Sequence, residues 1–334
     1  MENVKNQVQE KEIAGVNWIH LSDLHMYFDT VNKEGVEASD AKKYLSAFLR
    51  KENIKADYMF ITGDFRFAPE QISMNKFVKE IVDYIKELAG AVGITCMKKI
   101  FIVPGNHDLS IMEGQHEERR KIIEDIRKEY RGDIGKIDEK KAKKLLENFT
   151  FFKKILQELY GDSYIWTEEL WPTVTYKNED GFSVVCVNTN LIFNNDKGDK
   201  NQLLIGGMCL RNALEEIKKE KGNIPIIILA HHGMLCLEEN ERRLVERLFS
   251  NYNVKLYLCG DAHKVWDRTL NKIPEITMGC VGAQEGVDAA FCIGRLLVNG
   301  EFSLKAFSWN YGTWAEFTHF NSMIKKDGIG LLET

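Results

Sequence analysis

The chain has 334 residues, 28% of them charged, with 45 Lys and Arg against 50 Asp and Glu for a formal net charge of −5. That length supports one large domain or two modest ones, and the balance excludes nucleic-acid binding through bulk positive charge while leaving room for a local basic groove. Seven scattered cysteines without a CxxC pair exclude a disulfide framework and a thiolate zinc site, and fit reduced thiols in a core. The first 15 residues are polar, and no apolar run has membrane-spanning length. The expectation is therefore a cytoplasmic protein with no signal peptide and no membrane partner.

In chain order, apolar runs predict strands over 16–22 (VNWIHLS), 57–62 (DYMFIT) and 99–104 (KIFIVP). Before the third, Phe77, Ile81, Tyr84, Ile85 and Leu88 recur on one helical face. Residues 110–172 read as charged helices with an apolar stripe of Leu145, Phe149, Phe152, Leu156 and Leu159, an insertion that is either a cap over a site or a peripheral brace. Further strands are predicted over 182–189, 224–230 and 254–259, with a helix carrying Leu210, Ala213, Leu214 and Ile217 between the first two. The later strands 275–281, 289–298 and 301–307, with Asn299-Gly300 as a hairpin turn, read as antiparallel. Strands alternating with helices imply a largely parallel buried sheet. The fold class expected is α/β, with two mixed sheets flanked by helices, in one domain over 1–334 carrying the 110–172 insertion.

The strand ends carry the chemistry. The first ends in Ser22-Asp23-Leu24-His25, the second in Thr62-Gly63-Asp64 and the third in Pro104-Gly105-Asn106-His107-Asp108. The 224–230 run ends in His231-His232-Gly233, and 254–259 in Gly260-Asp261-Ala262-His263. Parallel strands place these loops on one sheet edge. Carboxylates, a carboxamide and imidazoles together suit Mn, Fe, Zn, Co or Ni. They outnumber what one ion needs, and two ions ~3.5–4 Å apart are a usual clamp for phosphate-ester hydrolysis.

This order and spacing resembles the calcineurin-like metallophosphoesterases: DxH, GD, GNHD, a strand-end His, then GHxH. The resemblance runs from residue 16 to about 310 and implies a two-sheet sandwich flanked by helices. It implies two divalent ions, Mn²⁺ foremost, with Fe, Zn, Ni, Co or Mg as further candidates. Asp23, His25, Asp64 and His263 would hold one ion. Asp64 would bridge to a second, held by Asn106, His231 and residue 261. A hydroxide between the ions would attack phosphorus in line, with His107 as general acid and Asp108 orienting its ring. The sequence departs from the pattern at one ligand: Asp261 stands where the family has His, and it would ligate directly or through a water. His231 is preferred to His232 as ligand because it follows the strand directly, which leaves His232 either behind the ligands, supporting them, or facing substrate. Arg66 is a candidate phosphate clamp or an ordinary surface arginine. His20 reads as a packed histidine, and His116 and His319 as structural or surface. Tyr160, Tyr164, Trp166 and Trp171 would stack a base or form the insertion's own core.

The implied substrate is a phosphate ester, with a nucleotide-type phosphodiester favoured. The alternatives are a nuclease of the same family, its insertion gripping a strand, and a non-catalytic signalling or scaffold module that keeps the fold.

Overall fold

The computed structural model describes residues 15–26, 36–67, 74–111, 115–129, 134–161, 174–194, 201–270, 273–281, 289–297, 299–310 and 312–318. In chain order they form β1 (Gly15–Leu21), α1 (Val36–Lys51), β2 (Tyr58–Ile61), α2 (Met74–Val92), β3 (Ile100–Ile102), α3 (Gln115–Glu129), α4 (Glu139–Glu147), α5 (Thr150–Tyr160), β4 (Val174–Asn178) and β5 (Ser183–Val187). Then come α6 (Gly207–Lys221), β6 (Ile226–Leu229), α7 (Glu239–Asn251), β7 (Val254–Cys259), β8 (Trp266–Leu270), β9 (Ile273–Thr277), β10 (Ala290–Leu297), β11 (Phe302–Asn310) and β12 (Thr313–Glu316).

The strands make two mixed six-stranded sheets, ordered β12-β11-β10-β1-β2-β3 and β4-β5-β6-β7-β9-β8. Side chains alternate along each strand, and the alternation assigns them to layers. In β2, Tyr58 and Phe60 enter the core between the sheets, while Met59 and Ile61 pack under α1, α2 and α5. In β6, Ile227 and Leu229 enter the same central core, while Ile226 and Ile228 face α6 and α7. The result is helix, sheet, sheet, helix, as expected for strands buried on both faces. Each fully buried Leu or Ile contributes about 1.5–3 kcal/mol.

The parallel strands β1-β2-β3 and β5-β6-β7 end on the edge that carries the polar loops. Three strands that carry no apolar run in the sequence, β4, β8 and β12, are all sheet edges. Lys177, Asp267, Arg268 and Glu316 lie on them, charges that discourage edge-to-edge pairing. The antiparallel reading after residue 270 needs one correction. β10 and β11 pair antiparallel, but β9 belongs to the second sheet, parallel to β7 and antiparallel to β8. The unforeseen β8 is the reason, since it reverses the chain before β9.

The apolar stripe of the insertion also divides. The chain breaks helix at Asn148, so Leu145 and Phe149 join a small cluster with α3, while Phe152, Leu156 and Leu159 on α5 pack beside α2. Arg119 on α3 fastens that small cluster to the sandwich. Only 2% exposed, it donates from Nε to the Phe193 carbonyl at 2.9 Å and from one terminal nitrogen to Asn190, Leu191 and Phe193 carbonyls at 3.1, 2.8 and 2.7 Å. Its other terminal nitrogen donates to Asn148 Oδ1 at 2.9 Å. Removing these donors leaves buried carbonyls unpaired, each worth about 1–3 kcal/mol. Arg119→Met is expected to cost about 3–5 kcal/mol in urea unfolding; a loss below about 1 kcal/mol would show that the cluster holds without it.

Candidate metal centre

The loops at the strand ends are held in an uncommon backbone. Asp23, His25, Asp64, Asp261 and His263 have φ of +52°, +40°, +55°, +66° and +51°, five of the seven positive-φ non-glycine residues described. Such conformations cost on the order of 1–3 kcal/mol each and persist where surroundings over-determine them. Here the loops fasten one another. Asp23 N–H donates to Gly63 O at 3.0 Å, His25 N–H to Asp64 O at 2.9 Å, and Gly260 N–H to His231 O at 2.9 Å. Asp23-Leu24-His25 and Asp261-Ala262-His263 repeat the same left-handed pair, one at the end of each sheet's strand. Two glycines make room for the carboxylates. A Cβ at Gly105 would stand 2.0 Å from Asp64 Oδ1, and one at Gly260 would stand 2.3 Å from Asp23 Oδ2.

Two groups of donors result. One ligand atom each from Asp23, His25, Asp64 and His263 lie within 4.8 Å of one another, as do atoms of His231, His232 and Asp261. His25 Nε2 and His263 Nε2 are 3.0 Å apart. Asp64 Oδ2 lies 3.8 Å from His25 Nε2 and 3.5 Å from His231 Nε2, facing both groups. Asn106 Oδ1 is 2.8 Å from His231 Nε2. A carbonyl can only accept, so the 2.7 Å contact of His231 Nδ1 with Thr62 O fixes the proton on Nδ1 and turns the Nε2 lone pair inward.

The electrostatics call for cations. Asp23 Oδ1 is buried and meets imidazole nitrogens, His263 Nε2 at 3.1 Å and His25 Nε2 at 3.6 Å, so its charge calls for protonated rings or for a cation in their place. Burial opposes ionisation of Asp23, yet the adjoining His25 and His263 rings hold it well below the usual carboxylate range. Burial pushes Asp64 well up, with the Asp23 and Asp108 carboxylates adding to the effect. Burial alone would lower His231, but Asp64, Asp23 and Asp261 together raise it to about 9. The three carboxylates thus favour positive charge at His231, as they would favour a cation. The mixed carboxylate, carboxamide and imidazole donors fit divalent transition ions.

Two expected roles change. Asp108 does not orient the His107 ring: its carboxylate accepts from Asp64 N at 3.0 Å, Phe65 N at 2.9 Å and Gly105 N at 2.8 Å, bracing the second loop against the third. The ring is oriented by the Phe67 carbonyl, which meets Nδ1. Arg66 is no surface arginine and its fork is not open to phosphate. It is 4% exposed, donates to the His107 and Leu109 carbonyls at 2.9 Å each, and lies over the Phe151 ring at 4.1 Å. His232 is buried, with Nδ1 2.8 Å from Thr189 Oγ1. His20 is packed in the core, 2.8 Å from Thr62 Oγ1, and burial drops it to about 3 despite Asp23. Tyr160 packs beside the helical core and donates to Ile100 O at 2.7 Å. Tyr164, Trp166, Trp171 and His319 lie outside the described residues.

The model of the calcineurin-like phosphoesterases matches residues 17–265, which include all five loops. This chain belongs to that family. A metallophosphoesterase-like protein of Bacillus subtilis (strain 168), YydB, is 28% identical over 313 residues, covering 90% of this chain and 61% of that protein. The chain therefore spans about three fifths of that relative. Among solved structures, the purple acid phosphatase PPD1 of yellow lupin (Lupinus luteus) seeds superposes with a TM-score of 0.53 at 12% identity, over 91% of this chain and 53% of that one. GAP50, the anchor in the inner membrane complex of Plasmodium, gives 0.50 at 14% identity, over 90% and 88%. At these identities the likeness is one of fold. No helix among the described residues is long and apolar enough to cross a membrane, and none of the seven cysteines is in a disulfide.

The phosphoesterase loops are also held by residues that carry no motif. Lys42 on α1 is buried and donates to His25 O at 2.8 Å. Thr62 presents its carbonyl to His231 and its hydroxyl to His20. Asn190 Nδ2 donates to Pro104 O at 2.7 Å. A threonine at a strand end could have been flagged; the lysine and asparagine give no local signal, because their contacts lie 17 and 86 residues away along the chain.

Proposed function

We propose that this chain is a two-metal phosphoesterase that hydrolyses phosphodiesters of nucleotide type. The observation that carries the reading is Asp64, one carboxylate oxygen of which faces the imidazoles of both donor groups. Asp23, His25, Asp64 and His263 would hold one ion, and Asp64, Asn106, His231 and Asp261 the other. Bound ions of this kind polarise phosphoryl oxygens and lower a water's pKa from 15.7 toward about 7. His107 stands at the mouth of the site, 34% exposed, with Nε2 3.9 Å from Asp64 Oδ2, where it would protonate a leaving oxygen. Asp108 and Arg66 keep that loop in place. The diester preference rests on the pairing of DxH with GNHD.

The test is metal content together with hydrolysis of phosphomonoesters, cyclic and linear dinucleotides, single-stranded DNA and RNA. Two divalent ions per chain and turnover of diesters are expected. Absence of both would leave a binding module that keeps the fold, and activity on DNA or RNA that falls steeply with salt would move the reading to a nuclease.

Metal binding should also depend on pH through His231. Its proton must leave before Nε2 can ligate, and the pKa is raised to about 9. The ion competes with that proton, so apparent affinity at the second position is expected to rise with pH by up to about tenfold per unit, levelling off below 9 once a first ion has neutralised Asp23 and Asp64. Calorimetric titration with Mn²⁺ at several pH values, in buffers of different ionisation heat, would read both the slope and the released proton. A flat affinity from pH 6 to 9 would remove His231 from the ligands.

A further inference from the structure

Consecutive side chains of a strand point to opposite faces, so His231 and His232 would be expected to part. They do not. Regular strand ends at Leu229, and in the turn that follows the two rings meet edge to face, with centroids 4.8 Å apart at 79°. The His232 ring is clamped on its other side by Phe193, stacked at 5.6 Å and 29°. It is 3% exposed. Its Nδ1 is 2.8 Å from Thr189 Oγ1, and its Nε2 is 3.7 Å from Asp261 Oδ1. His231 Nε2 is 3.8 Å from the same oxygen.

Two donors that share one ion at about 2.0–2.2 Å stand roughly 3–4 Å from each other. The spacings of Asp261 Oδ1 to both imidazoles are of that size. They are also too long for direct hydrogen bonds, and one ligand atom from each of the three residues lies within 4.8 Å of the others. Aspartate reaches less far from the backbone than histidine does. A carboxylate at position 261 therefore leaves the second ion short of a donor on the side where His232 Nε2 stands.

We propose that His232 is a ligand of the second metal: Nε2 coordinates, Nδ1–H is held by Thr189 Oγ1, and Phe193 fixes the ring plane. This rests on the two-metal reading above and extends it, with His232 supplying the imidazole that Asp261 lacks.

The test is metal affinity, separate from activity. Wild type, His232→Ala, His232→Asn, Thr189→Val, Asp261→His and the double variant Asp261→His/His232→Ala would be titrated calorimetrically with Mn²⁺ and Co²⁺. The visible spectrum of the Co²⁺ form would report coordination, and thermal unfolding would confirm that each variant is folded. Loss of an outer partner typically costs 10–100-fold in metal affinity. Thr189→Val is expected in that range, and His232→Ala should weaken the second ion at least 100-fold while the first ion binds as in wild type. In the Asp261→His background, His232→Ala should cost less than about tenfold, because an imidazole is restored. If wild type binds two ions and His232→Ala binds both within about threefold of wild type, His232 is not a ligand and the two-metal reading stands. Equal losses from His232→Ala in both backgrounds would equally overturn the compensation between His232 and Asp261. If wild type binds fewer than two ions, the two-metal reading itself fails.

Discussion

Asp64→Ala is expected to abolish phosphoester hydrolysis, by at least about 10³-fold, and to lower bound metal at both positions while the chain stays folded. The carboxylate has two tasks that separate by atom. Oδ2 faces His25 Nε2 at 3.8 Å and His231 Nε2 at 3.5 Å, while Oδ1 accepts the His107 N–H at 2.9 Å. Alanine removes both, and it must also take up a backbone φ of +55°, which alanine tolerates less well than aspartate by roughly 1 kcal/mol. Against this, it relieves a buried carboxylate that its surroundings push well above its usual range, so the net loss of stability should stay near 1–3 kcal/mol. Asp64→Asn separates the tasks, since the carboxamide oxygen can keep the His107 contact while the charge is gone. It should retain more stability than the alanine variant and be nearly as inactive. Metal analysis, turnover and urea unfolding of the two variants check this. An alanine variant with near-normal turnover and two bound ions would end the reading of Asp64 as the shared ligand.

The loops around Asp64 show how far residues alone can carry a site. The five strand-end motifs are short, contiguous and ordered, so parallel topology was enough to bring Asp23, Asp64, Asn106, His231 and His263 to one edge. β1, β2, β3 and β5–β7 were readable for the same reason: each is an apolar run buried on both faces. What escaped was set by partners distant in sequence. β4, β8 and β12 are polar edge strands, whose pairing depends on neighbours rather than on their own pattern. Asp108 looked like a partner for His107 because it is adjacent in sequence, yet adjacency does not fix side-chain direction. Its acceptors satisfy the N–H groups of Asp64, Phe65 and Gly105 instead. Arg66, two residues after Asp64, reads in the sequence as either a phosphate clamp or a surface arginine. Folding lays its guanidinium on the third loop, where Nε and one terminal nitrogen donate to the His107 and Leu109 carbonyls. Left-handed φ at five ligand candidates was likewise invisible, since Asp and His carry no obligatory sign of it.

His107→Ala is expected to slow esters with alkoxide leaving groups by ~10²–10⁴-fold and nitrophenyl esters by less than about tenfold, because a positioned acid matters in proportion to the basicity of the leaving oxygen. The geometry defines which nitrogen acts. Nδ1 carries the proton that meets the Phe67 carbonyl, so only Nε2 can face a leaving group, and it must be protonated to donate. Burial, followed by the neighbouring His25 ring, lowers His107 to about 4. At neutral pH the ring in the free site is therefore mostly neutral, and an anionic ester beside it favours the charged form. The sign of the pH effect follows. The proton-bearing fraction of the free enzyme falls about tenfold per unit as pH rises above about 4, so kcat/KM for alkoxide esters should lose ground to that for nitrophenyl esters over the same range. Taking the ratio of the two substrates cancels the pH dependence of metal occupancy, which both share. In wild type the ratio should decline with pH; in His107→Ala it should be flat and low. Profiles for a dialkyl-type nucleotide diester and its nitrophenyl analogue, measured from pH 5 to 9 at saturating Mn²⁺, would decide it. Equal losses on both substrates, or a wild-type ratio that does not move with pH, would mean that the His107 ring binds phosphate and the leaving oxygen takes its proton from water.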